Sequence, residues 1–178
     1  FEGGEISMYY DPMIAKLCTW APTREKAIEQ MREALDGFEV EGIGHNLPFL
    51  SAVMDHPRFI KGDITTAFIE EEYTEGFVGV ELAEEELMRI AASCAAMNRV
   101  AEIRRTKISG RMDNHERRVG DDWIVTLQNK KYELKIVADH LGSTVQFKDG
   151  AKIRVEGRWT PGDQLAKMLV DETRLTMK

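Results

Sequence analysis

The sequence predicts an α+β fold in which one long helix is covered by an antiparallel sheet. Residues 81–105 contain no glycine or proline and place apolar side chains on more than one helical face. From Asp121 onward, apolar and polar residues alternate instead, which is the period of a half-buried strand. Turn residues separate these alternating segments at short intervals, which favours hairpins joined into a meander.

The long helix should cover residues 81–105. Its first turns are acidic and its last turn carries Arg104 and Arg105, the charge order that a helix dipole stabilises. No strongly polar face remains over residues 90–97, and half of that segment is alanine. A helix that is apolar on all sides needs cover on all sides, and small side chains let other backbone approach closely. We therefore expect the sheet to wrap around this segment as an antiparallel β-barrel.

Two domains are expected, residues 1–75 and residues 76–178, with a linker bracketed by Gly76 and Gly79. The first should contain short helices that begin after Thr23 and Asn46, and a paired strand over residues 13–20. The second should be the long helix and an incomplete barrel. We expect the chain to be a piece of a longer polypeptide that supplies the closing strands after Lys178, because an open last strand leaves unpaired backbone groups.

Composition argues against several classes of protein. The formal net charge of −7 over 178 residues is unfavourable for general binding to nucleic acid, which needs clustered basic surface. No apolar run approaches the roughly 20 residues of a membrane span, so neither nucleic acid nor membrane is expected as a partner. Cys18 and Cys94 lie far apart, each in an apolar run, and we expect them to be reduced and buried.

Catalytic and metal-binding patterns are not evident in the sequence. The histidines show no metal-ligand spacing, and each is expected to be a surface or capping residue: His45, His56, His115 and His140. Lys167 precedes a methionine, as a biotin-carrying lysine does, but Ala166 stands before it and the segment has the pattern of mid-strand. We therefore expect no catalytic, cofactor-binding or metal-binding residue in this chain.

One local concentration of charge indicates a partner surface. Basic residues collect at the end of the long helix and in the segment that follows, in a chain that is acidic overall: Arg99, Arg104, Arg105, Lys107, Arg111, Arg117 and Arg118. Such a concentration commonly steers or fixes a partner. The alternative is a solvated loop whose arginines are favoured by the helix dipole. The candidate partner-contact residues are Lys107, Ile108, Arg111, Met112, His115, Arg117 and Arg118.

The first part of the chain resembles a known family. Residues 9–17 read Tyr-Tyr-Asp-Pro-Met-Ile-Ala-Lys-Leu, and they are followed by Thr23-Arg24, Gly42-Ile43 and Phe49-Leu50. This pattern is similar to the C-terminal end of a biotin carboxylase domain in the biotin-dependent acyl-CoA carboxylases. Residues 61–79 resemble the α subunits that act on propionyl-CoA more than those that act on methylcrotonyl-CoA.

The resemblance implies a fold and a role for the remainder. In that family the next region is the BT domain, a long helix inside an antiparallel β-barrel that ties the biotin-carrying α subunit to the carboxyltransferase β subunit. The whole enzyme is then a ligase that requires biotin, ATP and Mg²⁺ or Mn²⁺, with none of them bound by this segment. Expected partners are the β subunit and other copies of the α subunit. The expected location is the bacterial cytoplasm, or the mitochondrial matrix of a eukaryote.

Two other interpretations stay open. A free-standing barrel that encloses a small ligand would require an interior cavity, whereas the long helix should fill that space. The same family could also act on another acyl-CoA, such as methylcrotonyl-CoA or acetyl-CoA.

Overall fold

The structure is a computed structural model that describes residues 2–110, 112 and 117–178. The chain divides into two compact units, Phe1–Val80 and Glu81–Lys178. Helices make up the regular structure of the first unit, and the second combines one long helix with an antiparallel sheet. The predicted α+β class is therefore confirmed. The assignment of residues 1–75 and 76–178 to separate functional domains stays a prediction.

The described part of the first unit contains short helices joined by irregular segments: α1 (Arg24–Asp36), α2 (Leu47–Asp55), α3 (Pro57–Lys61) and α4 (Phe68–Glu72). α1 begins as the sequence predicts, because the Thr23 side chain accepts a hydrogen bond from the Lys26 amide at 3.4 Å. α3 was not predicted. It begins at Pro57, where a missing N–H costs a helix nothing, and His56 Nδ1 accepts from the Arg58 amide at 3.3 Å.

Arginine side chains fasten these short helices. Arg58 donates to Glu71 at 2.7 Å and to Glu72 at 2.6 Å, which joins α3 to α4. The hydrogen bond from Arg58 is the main reason why the pKa of Glu72 is lowered. Arg24, part of the motif that carries the resemblance, donates to the Phe59 carbonyl and lies 4.9 Å from the centre of that ring. Its contacts are those of a residue that holds the fold.

Two predictions about the start of the chain are wrong. Residues 13–20 form no strand, because no other described segment pairs with their backbone, and Met13 and Ile14 are exposed. The Cys18 side chain is consequently exposed rather than buried. Cys94 is partly buried, and burial raises the pKa of its thiol. Both cysteines are free, as expected.

The second unit begins with the long helix α5 (Glu84–Thr106). The Glu86 carboxylate accepts a hydrogen bond from the Ala83 amide at 2.9 Å, which satisfies one donor at the start of the helix. The strands that follow are β1 (Asp122–Leu127), β2 (Lys130–Ala138), β3 (Gly142–Phe147), β4 (Lys152–Glu156), β5 (Ala166–Val170) and β6 (Thr173–Met177). Within the described residues they form one antiparallel sheet in sequence order, the predicted meander.

Two-residue turns with left-handed backbone close the first and last hairpins. Gln128 and Asn129 have φ of 47° and 65°, and Asp171 and Glu172 have φ of 45° and 68°. Positive φ at both central residues is the type I′ turn, whose twist matches that of the flanking strands. Asn129 belongs to the predicted turn residues. The turn at residues 171–172 was not predicted because it contains neither glycine nor asparagine.

The concave face of the sheet covers the alanine-rich segment of α5. Ala91, Ala92, Ala95 and Ala96 are buried, together with strand residues that include Ile136, Val145, Val155, Met168 and Val170. Every residue from 90 to 97 is buried or half-buried, which confirms the predicted wrapped helix. In the described part of the chain β1 and β6 do not pair, so the sheet is a curled half-barrel.

We predict that Ala92→Leu will destabilise α5 by about 1–3 kcal/mol, because Ala92 is 0% exposed and added methylene groups must displace the sheet. Amide hydrogen exchange of the α5 peptides in the full-length protein measures this loss. Ser93→Ala is the control. Ser93 is equally buried and its hydroxyl has no hydrogen-bond partner among the described residues, so removing the hydroxyl should not increase exchange. Equal exchange in Ala92→Leu and the wild type would show that α5 is loosely packed.

A charged cluster closes the β2–β3 hairpin. Asp139 accepts from Arg154 at 2.7 and 2.9 Å, and from the Leu141 and Gly142 amides at 2.8 and 3.0 Å. These bonds, above all those from Arg154, hold the pKa of the Asp139 carboxyl well below its usual range. The ionised carboxylate therefore stabilises the folded hairpin. That contribution is complete above the ordinary pKa of about 4 and is lost as pH falls through the lower folded value.

We predict that Asp139→Asn will lower the thermal midpoint of the protein at neutral pH, because the amide removes one of the two carboxylates that pair with Arg154 and leaves only Glu156. The difference from the wild type should shrink as pH falls from about 4 toward the lower pKa of the folded state, because over that range the unfolded wild-type chain binds the proton first. Thermal unfolding of the full-length protein over this pH range measures it. Glu172→Gln, in the turn between β5 and β6, is the control and should shift the midpoint little. A pH-independent difference would rule out the charge as its cause.

Candidate partner interface

The candidate interface begins where α5 ends. Thr106 donates its hydroxyl to the Ile103 carbonyl at 2.6 Å, and the Lys107 amide donates to the Arg104 carbonyl at 3.1 Å. These bonds close the last turn of the helix. We call residues 107–118 the interface loop, of which the structure describes 107–110, 112, 117 and 118. Gly110 has a φ of 86°, a left-handed conformation that glycine adopts without a steric penalty.

Glu102 joins the helix to the far end of the interface loop. It forms ion pairs with Arg105, three residues later in α5, and with Arg117, fifteen residues later. The Glu102 side chain is only 13% exposed, whereas Arg117 is 53% exposed. A shielded carboxylate thus holds one end of a guanidinium whose remainder faces water. The interface loop returns to the helix from which it left.

Most of the described candidate residues present their side chains to solvent. Ile108 is 63% exposed and Met112 is 77% exposed, which is unusual for large apolar side chains. The same loop also has exposed cations, at Lys107, Arg117 and Arg118. Arg118 makes no hydrogen bond or ion pair with any residue that the structure describes. Arg111 and His115 lie outside the described residues.

Other members of the predicted basic group are directed elsewhere. Arg104 donates to the Pro161 carbonyl at 3.1 Å, which ties α5 to the segment between β4 and β5. Arg99 is partly buried and lies 3.9 Å from Asp121. Arg104 thus makes a contact within the second unit, whereas the interface loop keeps exposed cations at Lys107, Arg117 and Arg118. Such a surface can attract acidic groups and offer apolar side chains for burial.

The described residues can be compared with two kinds of site, a metal centre and a biotin-carrying lysine. Among residues 2–110, 112 and 117–178, no group of three or more His, Cys, Asp or Glu side chains could hold a metal ion. Lys167, the lysine that most resembles a biotin carrier, lies within β5 between buried Ala166 and Met168. A strand interior does not present a lysine for attachment of biotin. No helix of the described chain is both long and apolar enough to cross a membrane.

Comparison with known proteins gives matches to both parts of the chain. The biotin carboxylase C-terminal domain matches residues 1–71, and the propionyl-coenzyme A carboxylase BT domain matches residues 90–178. A biotin carboxylase region followed by a helix in a curled sheet is the arrangement of a biotin-dependent carboxylase. Within that class, the chain belongs to the propionyl-coenzyme A carboxylase BT domain family, whose model matches half of it. The resemblance inferred from the sequence is confirmed.

Individual relatives agree with this family. The propionyl-CoA carboxylase alpha chain of Ruegeria pomeroyi is 71% identical over 178 residues, which are all of this chain and 26% of the relative. The mitochondrial alpha chain of Rattus norvegicus is 32% identical over 182 residues, covering 99% of this chain and 24% of the relative. A mitochondrial methylcrotonoyl-CoA carboxylase subunit alpha of Dictyostelium discoideum is 47% identical over 68 residues, 38% of this chain and 10% of that protein. The chain spans about a quarter of the length of the propionyl-CoA carboxylase chains.

Sequence reasoning missed the role of Glu102. Its spacing of three residues from Arg105 is visible in the sequence and is typical of a helical ion pair. The contact with Arg117 depends on the return path of the interface loop, for which the sequence has no periodic signal.

We predict that Glu102→Gln will increase trypsin cleavage after Arg117 roughly two- to fivefold, the range expected when a surface ion pair is lost. The neutral amide holds the guanidinium less strongly, so the end of the interface loop detaches from α5 more often. Cleavage is followed by mass spectrometry on the full-length protein. Glu85→Gln breaks a comparable pair with Arg89 in the first turn of α5 and should leave the rate unchanged. Equal cleavage in both variants would exclude Glu102 as the attachment point.

Proposed function

We propose that this chain is a segment of the α subunit of a biotin-dependent propionyl-CoA carboxylase. The whole enzyme would carboxylate biotin with ATP and bicarbonate, and then transfer the carboxyl group to propionyl-CoA. The observation that supports this most strongly is the succession, within one chain, of a biotin carboxylase C-terminal match and a propionyl-CoA carboxylase BT match. In this proposal biotin, ATP and Mg²⁺ or Mn²⁺ belong to the whole enzyme, and this segment has no catalytic role.

The proposed role of the second unit is assembly with the carboxyltransferase β subunit, through which α subunits join one hetero-oligomer. The packed helix and sheet would act as a rigid support, and the interface loop would make the contact. Exposed Ile108 and Met112 can become buried against a partner, while Arg117 and Arg118 can pair with its carboxylates. Central apolar anchors with surrounding charges are the usual composition of a specific interface.

Propionyl-CoA is the substrate that the comparisons favour. The relatives named for propionyl-CoA match 99% or more of this chain at 71% and 32% identity. The methylcrotonoyl-CoA relative matches only 38% of it. The likeness to the propionyl-CoA chains thus extends across the second unit, which is the part proposed to select the β subunit.

A ligand-enclosing barrel is the weaker candidate. It needs an empty interior, whereas Ala91, Ala92, Ala95 and Ala96 of α5 occupy the concave side of the sheet. Because these side chains are small, the helix lies close to the strands. A ligand could enter only if the helix and the strands moved apart.

We predict that reversing the charges of Arg111, Arg117 and Arg118 to glutamate will reduce co-purification of the β subunit with the full-length α subunit at least tenfold. Three charge pairs of modest strength together give an effect of about this size or larger. Steady-state carboxylation of propionyl-CoA should fall in parallel. ATP-dependent carboxylation of free biotin by the same preparation verifies that the remainder of the α subunit is folded.

The matched control reverses three exposed cations of the sheet, Lys152, Lys167 and Arg174. It makes the same change in net charge but leaves the interface loop intact, so β-subunit recovery should equal that of the wild type. Undiminished recovery in the loop variant would refute the interface loop as the contact. Equal loss in both variants would mean that net charge, rather than this surface, controls assembly.

A further inference from the structure

A cleft of about 470 Å³ opens in the second unit, and the residues that line it lie outside the interface loop. We call it the Trp159 cleft. It lies between the second half of α5, the tip of the β2–β3 hairpin and the segment that joins β4 to β5. Its apolar wall is formed by Met97, Val100, Leu141 and Trp159. Its polar wall contains Arg99, His140 and Arg158.

The walls of the Trp159 cleft are fixed by contacts of their own. The Pro161 carbonyl accepts from Arg104, which attaches the β4–β5 segment to α5. Within that segment Asp163 accepts from the Thr160 amide and hydroxyl, both at 2.9 Å. Gly157 has a φ of 148°, and a side chain there would lie 2.9 Å from the Lys167 carbonyl. The cleft is therefore shaped before any ligand arrives, which lowers the entropic cost of binding.

The cations of the cleft have unused hydrogen-bonding capacity. Arg99 Nε is buried and has no hydrogen-bond partner among the described residues, and the ion pair of Arg99 with Asp121 is long, at 3.9 Å. Arg158 is exposed and makes no hydrogen bond or ion pair with a described residue. The acid that lines the cleft, Asp139, is already engaged by Arg154. The cleft thus presents positive charge in a protein whose net charge is −7.

We propose that the Trp159 cleft binds a short acidic peptide segment of a protein partner, with at least one leucine or phenylalanine beside its carboxylates. Carboxylates would pair with Arg99 and Arg158, for which a guanidinium has the matching two-pronged geometry. The apolar residue would lie against Trp159 and Leu141, the latter being 64% exposed in the free chain. Opposite charges and an apolar wall in one cleft favour a ligand with both features. This site is separate from the interface loop and does not require the proposed β-subunit contact.

The test uses the full-length α subunit and a fluorescein-labelled peptide, Gly-Asp-Leu-Glu-Phe-Gly, with fluorescence anisotropy as the readout. We expect saturable binding that weakens with added salt. The matched peptide Gly-Asn-Leu-Gln-Phe-Gly should bind about tenfold more weakly, as should the acidic peptide to Arg158→Glu. Arg174→Glu changes the charge of β6 outside the cleft and should bind as the wild type does. Hydrogen exchange with the acidic peptide bound should show protection at residues 139–143 and 157–165.

Several outcomes would overturn the proposal. They are the absence of saturable binding, equal affinity for the two peptides, full binding by Arg158→Glu, and protection elsewhere in the protein. Competitive displacement of the peptide by coenzyme A would identify a nucleotide site instead. If Arg158→Glu proves unstable, Arg158→Gln and the salt dependence of the wild type provide the same test. None of these measurements involves the β subunit, so they are independent of the proposed assembly role.

Discussion

The packing of the alanine segment of α5 against the concave face of the sheet is the constraint on which the second unit depends. Alanine permits the helix backbone to approach the strands, and the strands can curl because no large side chain holds them away. Ala91 and Ala92 are completely buried, as are Ile136, Val145 and Val170 on the sheet. The rigid core that results determines where both ends of α5 emerge. The interface loop and the Trp159 cleft are positioned by that core.

Much of this fold could be predicted because the responsible forces act locally or periodically. The absence of helix breakers predicts α5, and alternation predicts strands such as β2, in which Tyr132, Leu134 and Ile136 are buried and their neighbours are exposed. The predictions that failed concern features that depend on contacts between distant parts of the chain or on unusual turn residues. Residues 13–20 have strand propensity but no pairing partner among the described residues, and pairing is a non-local property. In the β5–β6 turn, Asp171 and Glu172 have positive φ, although the pair contains neither glycine nor asparagine to indicate such a turn.

The candidate interface could be predicted only in part. The concentration of basic residues is a property of composition, so it was visible without the structure. Tertiary contacts decide which of these cations have partners within the chain, and Arg104 and Arg99 contact Pro161 and Asp121. The Trp159 cleft was not visible because three separate elements supply its walls. Arg99 and Arg158 are far apart in the sequence, so no local pattern indicates that they share a cleft.

The last two turns of α5 connect surfaces that the chain otherwise keeps apart. Glu102 holds Arg117 at the end of the interface loop, and Arg104 holds the carbonyl of Pro161 beside the Trp159 cleft. Helix termini fray more readily than helix centres. If the last two turns unwind, both attachments are released together, and a ligand that tightens either attachment also opposes the unwinding. The end of the helix is therefore the part of the second unit on which both surfaces depend for an attachment.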